Sequence, residues 1–213
     1  MRSQKKNVAM LCLFYFLSYI AFVLPYGYMQ TFLEYVGYDV VERGIILSGT
    51  AVVAIITQFF IGYLCDKYKT DKKFFNLCLI VFVLSTLVMY QVTQRNFFLH
   101  LIFISLVGGM FRTTLAVQDT WTLETSETCR NNFGPIRAFG AIGWMIGSPI
   151  GALVVEHYGY PALGYVFAGL AVLNIVLTMF MQDAVKVEKS GGIHATDLKE
   201  LLLDKKYVVV VLI

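Results

Sequence analysis

The sequence predicts an all-α integral membrane protein with six transmembrane helices. Hydrophobic residues make up 58% of the 213 residues and charged residues 15%, whereas soluble domains average about 45–50% apolar and about 25% charged residues. A bilayer core about 30 Å thick is crossed by roughly 20 apolar residues in an α-helix. Six runs of about that length occur, at residues 8 to about 32, 44–64, 74–92, 97 to about 122, 136–155 and 160–181.

The chain divides into three parts. Residues 1–182 hold the six runs, and the short loops between them predict a six-helix bundle with antiparallel neighbours. Residues 183–206 are polar and charged, which predicts a cytoplasmic linker. Residues 207–213 are apolar but too few to cross a bilayer, so we expect the start of a truncated seventh helix. This organisation favours the amino-terminal half of a transporter built from two bundles.

The positive charges predict how the helices are oriented. The net charge is +3, and most of the 17 lysines and arginines precede the first run or follow the second, fourth and sixth runs. The opposite loops contain Arg43 and Arg95. Because cytoplasmic loops carry the excess of lysine and arginine, we expect a multi-pass protein of the plasma membrane with a cytoplasmic amino terminus. The basic residues therefore indicate orientation in lipid, and we expect no nucleic-acid partner.

The sequence lacks the patterns of an intramembrane enzyme, a channel or a metal site. The apolar runs contain no HExxH, GxSxG or paired-aspartate pattern. They also contain no selectivity-filter sequence or ring of charge. The four cysteines do not have a metal-binding spacing. We therefore expect no catalytic residue, no metal and no cofactor, and we expect a protein that is not an enzyme.

Two opposite charges, Asp119 and Arg137, lie in the fourth and fifth membrane segments. A charge near the centre of a bilayer costs about 2.5–3.5 kcal/mol on insertion scales, and such residues are usually functional. Thr128 is nine residues from each charge, so a turn near Thr128 places both at one depth, roughly 13 Å from the tip of the hairpin. We expect the two side chains to face each other, either in a substrate site or as a structural ion pair between the helices.

Further candidate residues share helix faces with this pair. Ala141 and Trp144 follow Arg137 at i+4 and i+7, on a single face. A carboxylate accepts hydrogen bonds from hydroxyls, a guanidinium donates several, and an indole offers an apolar platform to a sugar ring. These residues and Asp119 therefore predict a site for a hydroxyl-rich ligand. Arg112 shares a face with Asp119 and either lines the same cavity, which would favour an anionic substrate, or bonds helix carbonyls or Asp119.

The fifth run also contains a stripe of glycines at spacings of three and four residues. Small residues let membrane helices approach each other closely. We therefore expect this face to pack against a neighbouring helix and to leave the face of Arg137 open to a cavity. The stripe consists of Gly140, Gly143, Gly147 and Gly151.

The segment after the second run resembles the loop motif of the major facilitator superfamily. It reads GYLCDKYKTDKK over residues 62–73 and is similar to the family pattern G-x-L-x-D-[R/K]-x-G-x-[R/K]-[R/K]. Lys69 stands where a glycine is usual, and the loop is about one residue longer. The resemblance implies a twelve-helix fold of which this chain forms the amino-terminal six-helix bundle. It also implies a conformational latch between the two bundles at Gly62, Asp66, Lys67, Lys72 and Lys73.

Within the superfamily the chain is most similar to the lactose permease group, the oligosaccharide–proton symporters. Residues 133–144 (FGPIRAFGAIGW) resemble the start of the fifth helix of that group. Ungapped extension places Asp119 on the group's sugar-binding acid, Arg137 on its sugar-binding arginine and Trp144 on its stacking tryptophan. The resemblance implies proton-coupled uptake of a sugar or oligosaccharide, with a carboxy-terminal six-helix bundle as partner. Related groups carry nucleosides or aromatic acids, so a small organic anion, an aromatic acid or a nucleoside is the alternative substrate.

Overall fold

The computed structural model describes the backbone of residues 2–184 and the side chains of residues 7–184. Within this part the chain forms eight helices: α1 Arg2–Gly27, α2 Met29–Val36, α3 Val40–Tyr68, α4 Lys72–Gln91, α5 Phe97–Thr125, α6 Glu127–Asn131, α7 Phe133–Tyr158 and α8 Tyr160–Met179. Six spans are long and apolar enough to cross a membrane, as predicted, and α1 with α2 supplies the first of them. Apart from Asp183 and Ala184, the predicted linker and the start of a seventh helix lie outside the described residues.

The helices differ from the apolar runs mainly at their ends. The α3 helix begins at Val40, four residues before its apolar run, because Asp39 and Glu42 form a capping box. The first span is interrupted at Tyr28, shortly after Pro25. A short helix that was not predicted, α6, forms the tip of the hairpin between α5 and α7, and Ser126 caps it. The six predicted spans are therefore correct in number and approximate in their bounds.

Small residues bring the helices together in pairs. The α1 helix packs along α7, and α3 packs along α5. A Cβ atom on Gly143 would lie 2.3 Å from the carbonyl oxygen of Phe16, and one on Gly147 would lie 3.0 Å from the backbone of Ile20. The predicted glycine face of α7 thus packs directly on the backbone of α1, which confirms the role expected for it.

Aromatic side chains fill the side of the bundle that α1, α4, α5 and α8 enclose. The fully buried indole of Trp121 contacts the rings of Phe14 and Phe75, with centroids 5.3 and 5.9 Å away. The ring of Phe82 lies 4.7 Å from that of Phe167. This aromatic core fixes α5 against α1 and α4 and thereby determines where the face of α5 that carries Asp119 points.

One end of the bundle is closed by ion pairs between loops and helix ends. We call it the acidic end; it carries residues 34–43, 91–97 and 156–160. The guanidinium of Arg43 lies 2.9 Å from a carboxylate oxygen of Glu34, and Arg95 pairs with Glu42. The two arginines that the sequence places in these loops are therefore both matched by carboxylates.

At the other end, which we call the basic end (residues 66–73, 125–133 and 180–184), α4 and α8 cap each other. The carboxylate of Asp183, just past α8, accepts hydrogen bonds from the backbone N–H groups of Asp71, the N-cap of α4 (3.1 Å), and of Lys72, its first residue (3.0 Å), and from the Thr70 hydroxyl. In return, the ammonium of Lys72 donates to the carbonyl oxygen of Met181 at 3.0 Å. Backbone N–H and carbonyl groups at helix ends have no partner within their own helix. Here such groups of α4 and α8 are hydrogen-bonded by side chains from the end of the other helix.

The capping contacts also change the acidity of Asp183. Partial burial by itself would raise the pKa of this carboxyl. The hydrogen bonds from Thr70 and from the backbone of Lys72, Ala184 and Asp71 outweigh burial and hold the pKa below its usual value. Because the folded-state pKa is lowered, the carboxylate stabilises the fold at neutral pH, and this contribution is lost as the pH falls through the folded-state pKa.

We expect Gly143→Ala to destabilise the protein by about 1–3 kcal/mol, because the added methyl group meets the backbone of α1. The matched control is Gly169→Ala in α8, where a Cβ atom would meet nothing within 4 Å. That change should be neutral or stabilising by up to about 1 kcal/mol. The measurement is thermal unfolding of the full-length protein in detergent, and equal midpoints for the two variants would contradict the close packing of α7 on α1.

We expect Asp183→Asn to lower the unfolding temperature at pH 7 by a few degrees. Loss of a capping carboxylate costs about 0.5–2 kcal/mol, and about 1 kcal/mol corresponds to roughly 2–4 °C in a chain of this size. The difference between wild type and Asp183→Asn should shrink as the pH falls through the lowered pKa of Asp183. A difference that stays constant from pH 7 to about pH 3 would show that the charge of Asp183 does not contribute.

Candidate functional site

The structure brings Asp119 and Arg137 together across the α5–α7 hairpin. A guanidinium nitrogen of Arg137 lies 3.2 Å from the Oδ2 atom of Asp119. The α5 helix ends six residues after Asp119, α7 begins four residues before Arg137, and Thr128 lies in α6 between them. The symmetric spacing about Thr128 therefore gave the correct depth. The two side chains differ in exposure, at 53% for Arg137 and 23% for Asp119.

Asp119 has a second partner that the sequence did not single out, the buried Tyr15 of α1. The Tyr15 hydroxyl donates a hydrogen bond to the Oδ1 atom of Asp119 at 2.8 Å and accepts one from the Thr122 hydroxyl at 3.2 Å. A signal was available, because Tyr15, Tyr19 and Tyr26 share one face of α1 at i, i+4 and i+11. Such a row of tyrosines near charged residues of neighbouring helices indicates hydrogen-bonding partners for those charges.

An open cavity of about 490 Å³ adjoins Arg137. Its wall combines small side chains, which leave room, with two aromatic rings and the guanidinium. Arg137, Ala141 and Trp144 of the predicted face all lie on it, so the i, i+4, i+7 pattern placed them correctly. The lining residues are Tyr19, Gly134, Arg137, Ala138, Ala141 and Trp144.

Trp144 is held in its place by aromatic rings from two neighbouring helices. Its indole lies 6.4 Å from the ring of Tyr19 and 6.3 Å from that of Tyr26, both nearly perpendicular to it. Phe111 of α5 approaches to 5.9 Å. These edge contacts fix the plane of the indole while the residue stays partly exposed to the cavity. The ring is thereby available as a rigid platform for a flat or ring-shaped ligand.

Arg112 lies on the open side of α5. The preceding residue, Phe111, contacts Phe22 of α1, and the following residue, Thr113, hydrogen-bonds Thr57 of α3. Because successive residues of a helix point 100° apart, the exposed Arg112 projects between α1 and α3, on the side of Asp119. No hydrogen bond or ion pair joins its side chain to the described residues. Arg112 is not among the residues that line the cavity beside Arg137, so its place in a substrate site stays a prediction.

The structure therefore brings together the carboxylate of Asp119, the guanidinium of Arg137 and, on the same cavity wall as Arg137, the indole of Trp144. A carboxylate accepts hydrogen bonds, a guanidinium donates them in a fixed fork, and an indole packs against an apolar ring face. These groups are chemically suited to a polar molecule with hydroxyl or carboxylate oxygens and a ring.

A larger groove, of about 790 Å³, lies between α1 and α7 nearer the basic end. Apolar side chains such as Leu13, Phe16 and Ile142 dominate its wall, and Thr128 and Asn132 are its polar members. It contains no charged group that could recognise a polar substrate. We therefore assign the candidate site to the smaller cavity beside Arg137.

The residues of the predicted latch lie together at the basic end. Gly62, Asp66, Lys67 and Lys73 are exposed there, whereas Lys72 donates to the carbonyl oxygen of Met181, just past α8. Lys69, which replaces the usual glycine, has a φ of 53° and ends α3 in the left-handed conformation. Glycine adopts that conformation at no steric cost. The chain therefore makes the turn that a glycine would favour, despite the substitution.

A bundle of six membrane-spanning helices with a charged cavity is typical of one half of a secondary transporter. A family model described as "MFS_1 like family" matches residues 8–213. The chain therefore belongs to this family of major facilitator transporters and is a multi-pass membrane protein, which confirms the superfamily predicted from the loop motif.

Two known proteins are similar to this chain over part of their length. The synaptic vesicular amine transporter of Homo sapiens is 26% identical over 165 residues, which cover 77% of this chain and 32% of that transporter. The crystal structure of the nucleoside transporter NupG, in an aspartate-to-alanine mutant, matches with a TM-score of 0.72 and 16% identity. That match covers 97% of this chain and 52% of the NupG chain. The chain thus spans about a third of one relative and half of the other.

Proposed function

We propose that the full-length protein is a secondary active transporter that takes up a sugar or oligosaccharide, driven by protons. The observation that carries this proposal is the Asp119–Arg137 pair beside an open cavity that Trp144 also lines. Proton coupling rests on the similarity of residues 133–144 to the oligosaccharide–proton symporters. The excess of positive charge at the basic end supports a plasma-membrane orientation with that end in the cytoplasm.

In the proposed mechanism, ligand hydroxyls share or replace the contact between the two charges. Arg137 is about half exposed and can turn toward the cavity, whereas Asp119 is more enclosed. A hydroxyl-rich ligand then donates to the carboxylate and accepts from the guanidinium, so neither charge loses its hydrogen bonds. The apolar face of the sugar ring packs on Trp144. Binding exchanges polar partners and leaves no charge unpaired in a membrane environment.

A second bundle of six helices completes the proposed transporter. The outward faces of α3 and α7 carry large apolar side chains, with Phe59 82% and Met145 66% exposed. We propose that a carboxy-terminal bundle of the full-length chain covers part of these faces and closes the cavity from the opposite side. Gly62, Asp66, Lys67 and Lys73 would then form the latch between the bundles, while Lys72 mainly joins α4 to α8 within one bundle.

The second candidate function keeps the fold and exchanges the sugar for a small organic anion, an aromatic acid or a nucleoside. The exposed position of Arg112 favours it, because two guanidinium groups then face one carboxylate. The likeness to a protein named as a nucleoside transporter is compatible with this alternative. A cationic amine, as in the name of the human relative, fits this alternative poorly, since two guanidinium groups and one carboxylate would give the site an excess of positive charge.

We expect Arg137→Gln and Asp119→Asn each to reduce uptake of the transported sugar by roughly 10- to 100-fold, because each removes a charge-assisted hydrogen bond worth about 1.5–3 kcal/mol. The measurement is uptake of radiolabelled mono- and disaccharides by proteoliposomes with an inward proton gradient. Arg95→Gln is the matched control, since Arg95 is also ion-paired but lies at the acidic end. Uptake at the wild-type level in both Arg137→Gln and Asp119→Asn would sink the site assignment.

We expect Arg112→Gln to separate the two substrate classes. Its effect on binding of the neutral p-nitrophenyl glucoside should be less than about threefold if the site binds sugars. If the site binds anions, benzoate should bind to the wild type and its affinity should fall by roughly tenfold or more in Arg112→Gln, because an ionic hydrogen bond is lost. Quenching of tryptophan fluorescence in the full-length protein measures the binding of the glucoside and of benzoate. Binding of benzoate but not of the glucoside would overturn the sugar proposal.

A further inference from the structure

The two oxygens of the Asp119 carboxylate have partners of different character. Oδ1 accepts a hydrogen bond from Tyr15 at 2.8 Å, and Tyr15 is fully buried. Oδ2 contacts Arg137, whose side chain is 53% exposed. One oxygen is therefore bound to a rigid part of the bundle and the other to a side chain that has room to move.

The hydrogen of the Tyr15 hydroxyl is committed to Asp119. An ionised carboxylate only accepts hydrogen bonds, and a tyrosine hydroxyl has a single hydrogen. The Thr122 hydroxyl lies 3.2 Å from the oxygen of Tyr15, and its single hydrogen is shared between that oxygen and the carbonyl oxygen of Gln118 at 2.9 Å. Since Thr122 lies on α5, three residues after Asp119, the Tyr15 hydroxyl is held between two groups of the same helix.

The ring of Tyr15 has little freedom to leave this position. It packs edge-on against Phe14, 6.3 Å away, and stacks on Tyr19 at 6.0 Å. Tyr19 itself lines the cavity beside Arg137 and Trp144. The hydroxyl of Tyr15 is thus fixed by packing behind the cavity wall, and it reaches the site through Asp119.

We propose that Tyr15 is the positioning residue of the site: it anchors Oδ1 of Asp119 and so keeps Oδ2 directed toward the cavity wall at Arg137, whether or not Oδ2 is paired with Arg137. This inference rests on the proposed function of Asp119 and adds the group that orients it. When a ligand hydroxyl displaces Arg137, the carboxylate keeps its orientation through Tyr15. Pre-organisation of this kind favours binding because the carboxylate need not be ordered by the ligand.

The test combines Tyr15→Phe with Asp119→Asn in the full-length protein, using binding of p-nitrophenyl glucoside and of uridine measured by tryptophan quenching. Tyr15→Phe should weaken binding roughly tenfold, in line with loss of a hydrogen bond to a charged group. In the Asp119→Asn background the same change should have little further effect. Equal effects of Tyr15→Phe in both backgrounds would overturn the positioning role, because a packing defect is independent of Asp119.

Tyr90→Phe is the control for loss of a buried tyrosine hydroxyl. Tyr90 is fully buried and donates to the carbonyl oxygens of Leu24 and Pro25, away from the site. It should lower stability without changing the affinity for either probe. If Asp119→Asn alone binds both probes as the wild type does, the proposed function is wrong. If Asp119→Asn weakens binding but Tyr15→Phe does not, only the role of Tyr15 is wrong.

Infrared spectroscopy of the carboxylate tests the proposal without a ligand, and therefore also if neither probe binds. The infrared carboxylate bands of Asp119 are identified by difference between the wild type and Asp119→Asn. Because Tyr15 donates to one carboxylate oxygen, Tyr15→Phe should shift these bands, whereas Tyr90→Phe should leave them in place. Bands that do not move in Tyr15→Phe would overturn the proposal.

Discussion

Close contact between α1 and the glycine face of α7 is the constraint on which the rest of the bundle depends. Lipid provides little hydrophobic force between helices, so backbone contact through small residues supplies much of the packing energy. At Gly143 the carbonyl oxygen of Phe16 occupies the place of a side chain. This approach brings Tyr15 and Tyr19 of α1 beside Arg137 of α7, and the ion pair to Asp119 then joins a third helix.

The ion pair is accessible from the cavity, and other contacts also hold its helices together. Arg137 lines the cavity, and its side chain is 53% exposed. The glycine contacts and the aromatic core around Trp121 already fix α5 and α7 relative to α1. Because Arg137 lies at the cavity, its side chain has room to change partners. This exposure supports the proposed substrate site.

The sequence predicted the parts of this fold that depend on local patterns. Apolar runs of about 20 residues give six spans, the glycine spacing gives one packing face, and the symmetry about Thr128 gives the contact of Asp119 with Arg137. Contacts that depend on distant segments were not predicted. In the sequence, Asp183 is the first residue of a polar segment. Its capping of α4 depends on how the end of α8 packs beside the start of α4, which no local pattern encodes. Tyr15 likewise reads as one aromatic residue among many in an apolar helix.

In the proposed transporter, the exposed Arg112 links the class of substrate to the second bundle. Asp119 is matched by Arg137, so the exposed Arg112 leaves one positive charge in excess. A guanidinium without a partner within the membrane is costly, so the proposed two-bundle transporter would have to balance that charge. A neutral sugar cannot balance it, so a sugar transporter needs an acidic residue of the second bundle opposite Arg112. An anionic substrate supplies the balance itself, and the second bundle then needs no such residue. Under this proposal, an acidic residue opposite Arg112 would favour the sugar, and its absence would favour the anion.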